Sequence, residues 1–268
     1  MSEPLERIVA LGDGELTHLT QWGTTGPALV CVHGITSGRM TWRRFAEHFA
    51  ARYRVFAYDQ RGHGDSAHIH GPMTLERSLR DLDAVRTVIG DPLHALVGHS
   101  WGGAVVLRGG RADRIERVIA IDPMIHVSPG TWFAEFVEEL REPFALAPAE
   151  REPAIREFYK RLPAIEIEGK VHAMRSMSVA AIVALGTENG VDGGRWDLRP
   201  DVMAYPKPLW LAIAGVESVV SAADLAFVRE RGGPQVRIDV FAGEGHSLQR
   251  TAFEHFAARA DEFLTSAG

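Results

Sequence analysis

Cysteine is nearly absent: Cys31 is the only one in 268 residues. It sits in the apolar run ALVCV, so it reads as a buried, unreactive thiol. A lone cysteine cannot staple the chain internally, which fits a cytoplasmic address. A basic surplus is missing too. Lys and Arg number 29 against 35 Asp and Glu, giving a formal charge of −6 and a pI near 6.1. A phosphate backbone wants a basic face, so no nucleic-acid partner is expected. Long apolar runs are lacking. PLWLAIAGV falls far short of the ~18 residues a membrane span needs. The N-terminus, MSEPLERIVALGDG, carries early acids and no basic start before an apolar stretch, so neither a leader nor a membrane partner is expected. No repeat or low-complexity tract occurs. What remains is 46% hydrophobic and 24% charged, a globular composition able to bury a core without disulfides or a structural metal.

Short apolar runs alternate with longer helical patterns. Residues 28–34, 53–59, 94–100, 117–123, 208–215 and 235–243 read as strands, each continuous and apolar, as parallel strands covered on both faces must be. Residues 41–53, 74–90, 102–110, 221–233 and 251–264 read as helices, with Thr74 a candidate N-cap and Gly90 a stop. ERIVAL and ELTHLTQWG, joined through GDG, predict an antiparallel hairpin at the edge. The expected class is α/β, a mostly parallel twisted sheet with helices on both faces. From about Ser128 to Asp201 the alternation stops, and only helical patterns punctuated by proline remain. The expectation is a core domain of residues 1–127 and 202–268, with an all-helical cap, 128–201, inserted between two of its strands.

The strongest local signal is LVGHSWGGA (96–104). Gly98-His99-Ser100-Trp101-Gly102 fits G-x-S-x-G, a sharp strand-to-helix turn that exposes a nucleophilic serine at its tip. Both the preceding strand and the following helix are legible, which separates it from a chance match. Three further stretches line up around it: VCVHGITSG (30–38), YDQRGHGDS (58–66) and FAGEGHSL (241–248). With four motifs in this order over nearly its whole length, the chain resembles the α/β-hydrolases, in their serine-nucleophile branch with a helical cap.

That resemblance implies an oxyanion hole built from the main-chain N–H groups of Ile35, after His33-Gly34, and Trp101, after the nucleophile. It implies His246 as general base. The third member is harder to assign. The slot where most relatives carry an aspartate holds Ser218, in IAGVESVVS (213–221), and a serine cannot stabilise an imidazolium as a carboxylate does. Asp122, ending the strand one earlier in sequence, is preferred, because some relatives carry the acid there. Glu217, one residue from the usual slot, is the alternative. A bare Ser–His pair is the remaining option.

A serine nucleophile implies an acyl-enzyme followed by attack of water, with no cofactor. The expected substrate is a small hydrophobic carboxylic ester or lactone, as for a carboxylesterase or lactonase. Trp132, Phe136, Met177 and Trp196 are candidates for a largely apolar pocket wall. Carbon–carbon bond hydrolysis and cofactor-free perhydrolysis use the same residues. A ligand-binding receptor with feeble turnover is the alternative from another class. His63, His68 and His70 with Asp65 match no zinc-ligand spacing, and no metal is assigned.

Overall fold

Alternation along single strands explains the centre of the molecule. In strand β3 (Ala28–Val32), Val30 and Val32 pack into one hydrophobic cluster, while Leu29 and Cys31 pack into another on the opposite face. Successive side chains of a strand point to opposite faces, so an unbroken apolar run requires a sheet covered on both sides. Burying each such side chain contributes about 1.5–3 kcal/mol. The computed structural model describes residues 3–90, 92–127, 133–177, 179–191, 194–203 and 205–266.

The other strands are β1 (Leu5–Ala10), β2 (Leu16–Trp22), β4 (Arg54–Tyr58), β5 (Leu93–His99), β6 (Ile115–Ile121), β7 (His126–Val127), β8 (Trp196–Asp197), β9 (Leu209–Ala214) and β10 (Val236–Phe241). With β3, seven of them form one sheet in the order β1-β2-β4-β3-β5-β6-β9-β10. The β1–β2 and β2–β4 pairs are antiparallel and the rest parallel. The predicted edge hairpin is therefore present. The helices are α1 (Arg43–Phe49), α2 (Leu75–Ile89), α3 (Trp101–Gly109), α4 (Phe133–Ala145), α5 (Pro148–Phe158), α6 (Ala164–Met174), α7 (Val179–Glu188), α8 (Arg199–Val202), α9 (Ala222–Arg231), α10 (Leu248–Thr251) and α11 (Phe253–Thr265). Thr74 caps α2: its Oγ1 accepts the Arg77 N–H at 3.1 Å.

Helices α4–α7 form a cap-like insert between β6 and β9. Two features of this region differ from expectation. Residues 169–186 carry an unbroken helical pattern in sequence, yet they are split between α6 and α7. The stretch expected to be all-helical also contains β8, which pairs antiparallel with β7. Two-residue strands carry no periodicity, so the sequence pattern could not show them.

Helix α6 is tied to the core. His172 Nε2 lies 3.0 Å from Asp65 Oδ2, and Lys170 Nζ donates to the Thr36 carbonyl at 2.8 Å. Arg39 is buried between Asp59 and Asp65. Burial pushes the Asp65 carboxyl up, but Arg39 and His172 outweigh it and hold the group down at about 2. Asp59, Asp65 and His172 gather as a metal site would, yet the Arg39 guanidinium already bridges the two carboxylates. The three motif histidines diverge: His63 is buried against the Arg61 carbonyl, while His68 and His70 are exposed. Among the described residues, no helix is long and apolar enough to cross a membrane.

Candidate active site

Strand β5 ends at His99 and helix α3 begins at Trp101, leaving Ser100 alone at the turn with φ of 57°. Positive φ is costly for a residue with a Cβ, so the surrounding structure must impose it. It does so through the main chain. Ser100 N donates to the Ile121 carbonyl at 2.9 Å, and Ser100 O accepts from Ala104 N and Met124 N, each at 3.1 Å. The helix also passes very close to β3: a Cβ at Gly102 would lie 2.2 Å from the Val32 carbonyl oxygen. Only glycine permits that approach.

The loop after β3 comes up beside the serine for the same reason. A Cβ at Gly34 would lie 2.9 Å from the Ser100 Cβ. His33 shapes this loop. Its Nε2 accepts the Gln60 N–H at 2.9 Å, which leaves Nδ1 to donate to the Gly34 carbonyl, also at 2.9 Å. Burial, with the nearby His63, holds His33 well below the usual histidine range, in keeping with a neutral ring. Ile35 follows and lines the cavity above Ser100. Trp101 is the first residue of α3, so its N–H belongs to the orphan donors of a helix start. The Trp101 side chain points into the core, against Trp196 with ring centroids 5.2 Å apart.

His246 reaches the same cavity from the loop after β10. Its Nδ1 donates to Asp122 Oδ2 at 2.6 Å. Asp122 is fully buried just past β6, with φ of 37°. Its carboxylate also accepts from Val219 N at 3.0 Å, Ala214 N at 3.0 Å and Ser218 Oγ at 2.6 Å. Two donors on each oxygen fill the four acceptor positions of a carboxylate. Ser218 thus does not replace the aspartate of the usual slot; it holds the carboxylate supplied by the neighbouring strand. Its own Oγ accepts from Val220 N at 3.0 Å, which fixes the hydroxyl. Glu217 is exposed, lies on the cavity wall, and makes no hydrogen bond to His246 among the described residues. No hydrogen bond joins Ser100 Oγ to His246 there either; such bonds often tighten only once substrate is bound.

His99 had not been singled out. It is buried, and its Nε2 donates to the His246 carbonyl at 2.9 Å, tying the histidine loop to the serine strand. Burial, then the adjoining His246, keeps it well below the usual histidine range. Its position beside Ser100 in the motif was the only signal available.

The cavity has a volume of about 570 Å³, ample for a small organic molecule. Ile35, Phe136, Tyr159 and Val219 give it apolar surface. Of the four expected wall residues, Phe136 lines it, and Trp132 lies outside the described residues. Met177 and Trp196 do not line it. Met177 is fully buried in the hydrophobic core, and Trp196 packs under the site with Nε1 donating to the Met124 carbonyl at 2.7 Å. The wall is also more charged than expected. Lys170 and Arg250 line it from buried positions, and Glu135, Glu139 and Glu217 from exposed ones.

Comparison with known proteins accords with this geometry. The description "Alpha/beta hydrolase family" matches residues 29–260. Lipase LipV of Mycobacterium tuberculosis is 34% identical over 137 residues, 50% of this chain and 51% of that protein, so the match spans about half its length. N-formylmaleamate deformylase of Pseudomonas putida is 24% identical over 262 residues, 94% of each chain. The crystal structure of E-2-(acetamidomethylene)succinate hydrolase superposes with a TM-score of 0.81 at 23% identity, covering 98% of this chain and 100% of that one. The chain belongs to the alpha/beta hydrolase family.

Proposed function

We propose that this member of the alpha/beta hydrolase family is a serine hydrolase that cleaves a carboxylic ester or lactone through an acyl-enzyme. The observation that carries the reading is the 2.6 Å bond from His246 Nδ1 to the buried Asp122, at the rim of the cavity that Ser100 also lines. With Nδ1 committed to the carboxylate, Nε2 is the free basic nitrogen. It takes the Ser100 proton as Oγ attacks the carbonyl carbon, then delivers it to the departing alcohol oxygen. The negative charge on the carbonyl oxygen falls to the N–H groups of Ile35 and Trp101, each worth about 3–4 kcal/mol in the transition state. Water, deprotonated by the same nitrogen, then attacks the acyl carbon and releases Ser100 with the acid. Asp122 keeps Nδ1 protonated and stabilises the imidazolium.

Lipase LipV supports esters as the first class to try, and the deformylase adds formamides to the screen. With Asp122 bonded to His246, a vacant acid slot no longer argues for a receptor without turnover. The test is hydrolysis of short p-nitrophenyl esters and lactones by the wild type and Ser100→Ala. Turnover lost in the variant supports the reading. Turnover retained in Ser100→Ala, or none in the wild type on any member of the panel, sinks it.

A further inference from the structure

The serine, histidine and carboxylate account for the chemistry, but not for two cations buried beside them. Lys170, from α6, and Arg250, from α10, are 4% and 5% exposed, yet both line the cavity. Both meet the loop that carries Ile35. Lys170 Nζ donates to the Thr36 carbonyl at 2.8 Å and stands 4.9 Å from the centre of the Tyr159 ring. Arg250 Nη2 donates to Ser37 Oγ at 3.1 Å. Among the described residues one buried carboxylate faces them: Glu166 Oε2 lies 3.5 Å from Arg250 Nε, and that Nε makes no hydrogen bond. The cluster thus sets two basic side chains against one acid. An ammonium and a guanidinium together offer eight N–H donors, and among the described residues most of them have no protein acceptor.

The cost of this arrangement is visible in the groups themselves. Burial pushes Lys170 well below the ordinary lysine range; Arg250 pushes the same way, and Glu166 opposes both. Burial also lowers Arg250 and raises Glu166. A buried charge without a full counter-charge is costly, and such groups cluster at functional sites. Glu135, Glu139 and Glu217 carry the opposite sign on the same wall, but they are exposed, so water and salt screen them far more than the buried pair.

We propose that Lys170 and Arg250 form a carboxylate subsite, so that the substrate is an ester or lactone bearing a second, free carboxylate. This rests on the serine-hydrolase reading above. Thr36 and Ser37 are one and two residues beyond Ile35, at most about 7 Å of chain. The free carboxylate therefore lies within a few bonds of the scissile carbonyl.

The test pairs two probes of equal length, the p-nitrophenyl monoester of glutaric acid and neutral p-nitrophenyl valerate. The wild type should favour the anionic ester in kcat/KM by about tenfold or more, chiefly through KM. Lys170→Met should lower that preference by about tenfold, Arg250→Met similarly, and Lys170→Arg should restore most of it. If the cations merely support the Ile35 loop, Lys170→Met lowers both rates alike and leaves the ratio unchanged, which overturns the proposal, as does a wild type that prefers valerate. Should neither ester turn over, calorimetry on Ser100→Ala decides the subsite alone, and the wider panel decides the hydrolase reading. Glutarate binding more tightly than glutaramide, with the difference lost on adding Lys170→Met, supports it. Equal binding of the two overturns it.

Discussion

Asp122→Asn is the substitution from which most can be learned. The native carboxylate accepts from four donors: Ala214 N, Ser218 Oγ, Val219 N and His246 Nδ1. An asparagine has one oxygen, so its amide NH2 must take one side. With NH2 in place of Oδ2, Val219 N–H loses its acceptor and His246 must present a bare Nδ1. The proton then moves to Nε2, and the ring can no longer act as base, a change worth about 10⁴-fold in kcat in triads generally. With NH2 in place of Oδ1, Ala214 N–H is orphaned and the tautomer survives, but the imidazolium loses its counter-charge. At ~4 Å and an effective dielectric near 20, that charge is worth about 4 kcal/mol, or about 10³-fold in rate. Either way kcat should fall about 10³- to 10⁴-fold. One buried N–H is orphaned in both cases, so stability should fall by about 1–3 kcal/mol. Steady-state hydrolysis of a p-nitrophenyl ester, with urea unfolding and ¹⁵N spectroscopy of the His246 ring, reads all three quantities. A folded Asp122→Asn enzyme keeping more than about a tenth of wild-type kcat refutes the reasoning, and so does a Glu217→Gln enzyme that loses as much.

Ser218→Ala removes a donor to Asp122 and strands Val220 N–H, so unfolding free energy should drop by about 1–3 kcal/mol in urea melts, with a smaller loss of kcat than Asp122→Asn. Gly34→Ala sets a methyl 2.9 Å from the Ser100 Cβ and must push the Ile35 loop away. Its kcat should fall by about tenfold to a hundredfold, with the far-ultraviolet spectrum unchanged. Burial holds His33, His63 and His99 below the ordinary histidine range, so below about pH 6.5 the unfolded chain takes up protons that the folded one refuses. Their contribution is intact at pH 7 and drains as pH falls, by up to about 1.4 kcal/mol per pH unit for each histidine. Melting temperatures at pH 7.5, 6 and 5 check this, and a Tm that is flat or rises towards pH 5 contradicts it.

The strands were legible because each is a continuous apolar run covered on both faces, and the Ser100 turn because its glycines are forced by close backbone approach. The competition between Asp122 and Glu217 could not be settled from spacing. It depends on how the His246 loop folds back over the sheet: β9 stands between β6 and β10, yet His246 Nδ1 bonds Asp122, just past β6. Ser218 looked like a loss in the sequence because its contribution is a hydrogen bond across to another strand. Met177 and Trp196 were misjudged because a bulky side chain on an insert looks the same whether it packs inward or faces ligand. Lys170 and Arg250 escaped notice because single charged residues are usually solvated; only tertiary packing buries them.

Helix α6 has a consequence for anyone who exchanges caps between proteins of this fold. It touches the core through Lys170 on Thr36, His172 on Asp65, and Glu166 beside Arg250. Thr36 and Arg250 line the cavity beside Ser100, and Asp65 belongs to the Arg39–Asp59 cluster. A graft that replaces the whole insert would carry in a new pocket wall and at the same time cut the supports of the chemistry, so a loss of activity would say nothing about specificity. Exchanging α4 and α5 while leaving Ala164–Met174 and α7 in place is the cleaner transplant, since α7 also holds the core, Glu188 accepting the Met73 N–H at 2.7 Å. The insert is thus two inheritable parts, one that can be traded and one that must travel with the core loops it grips.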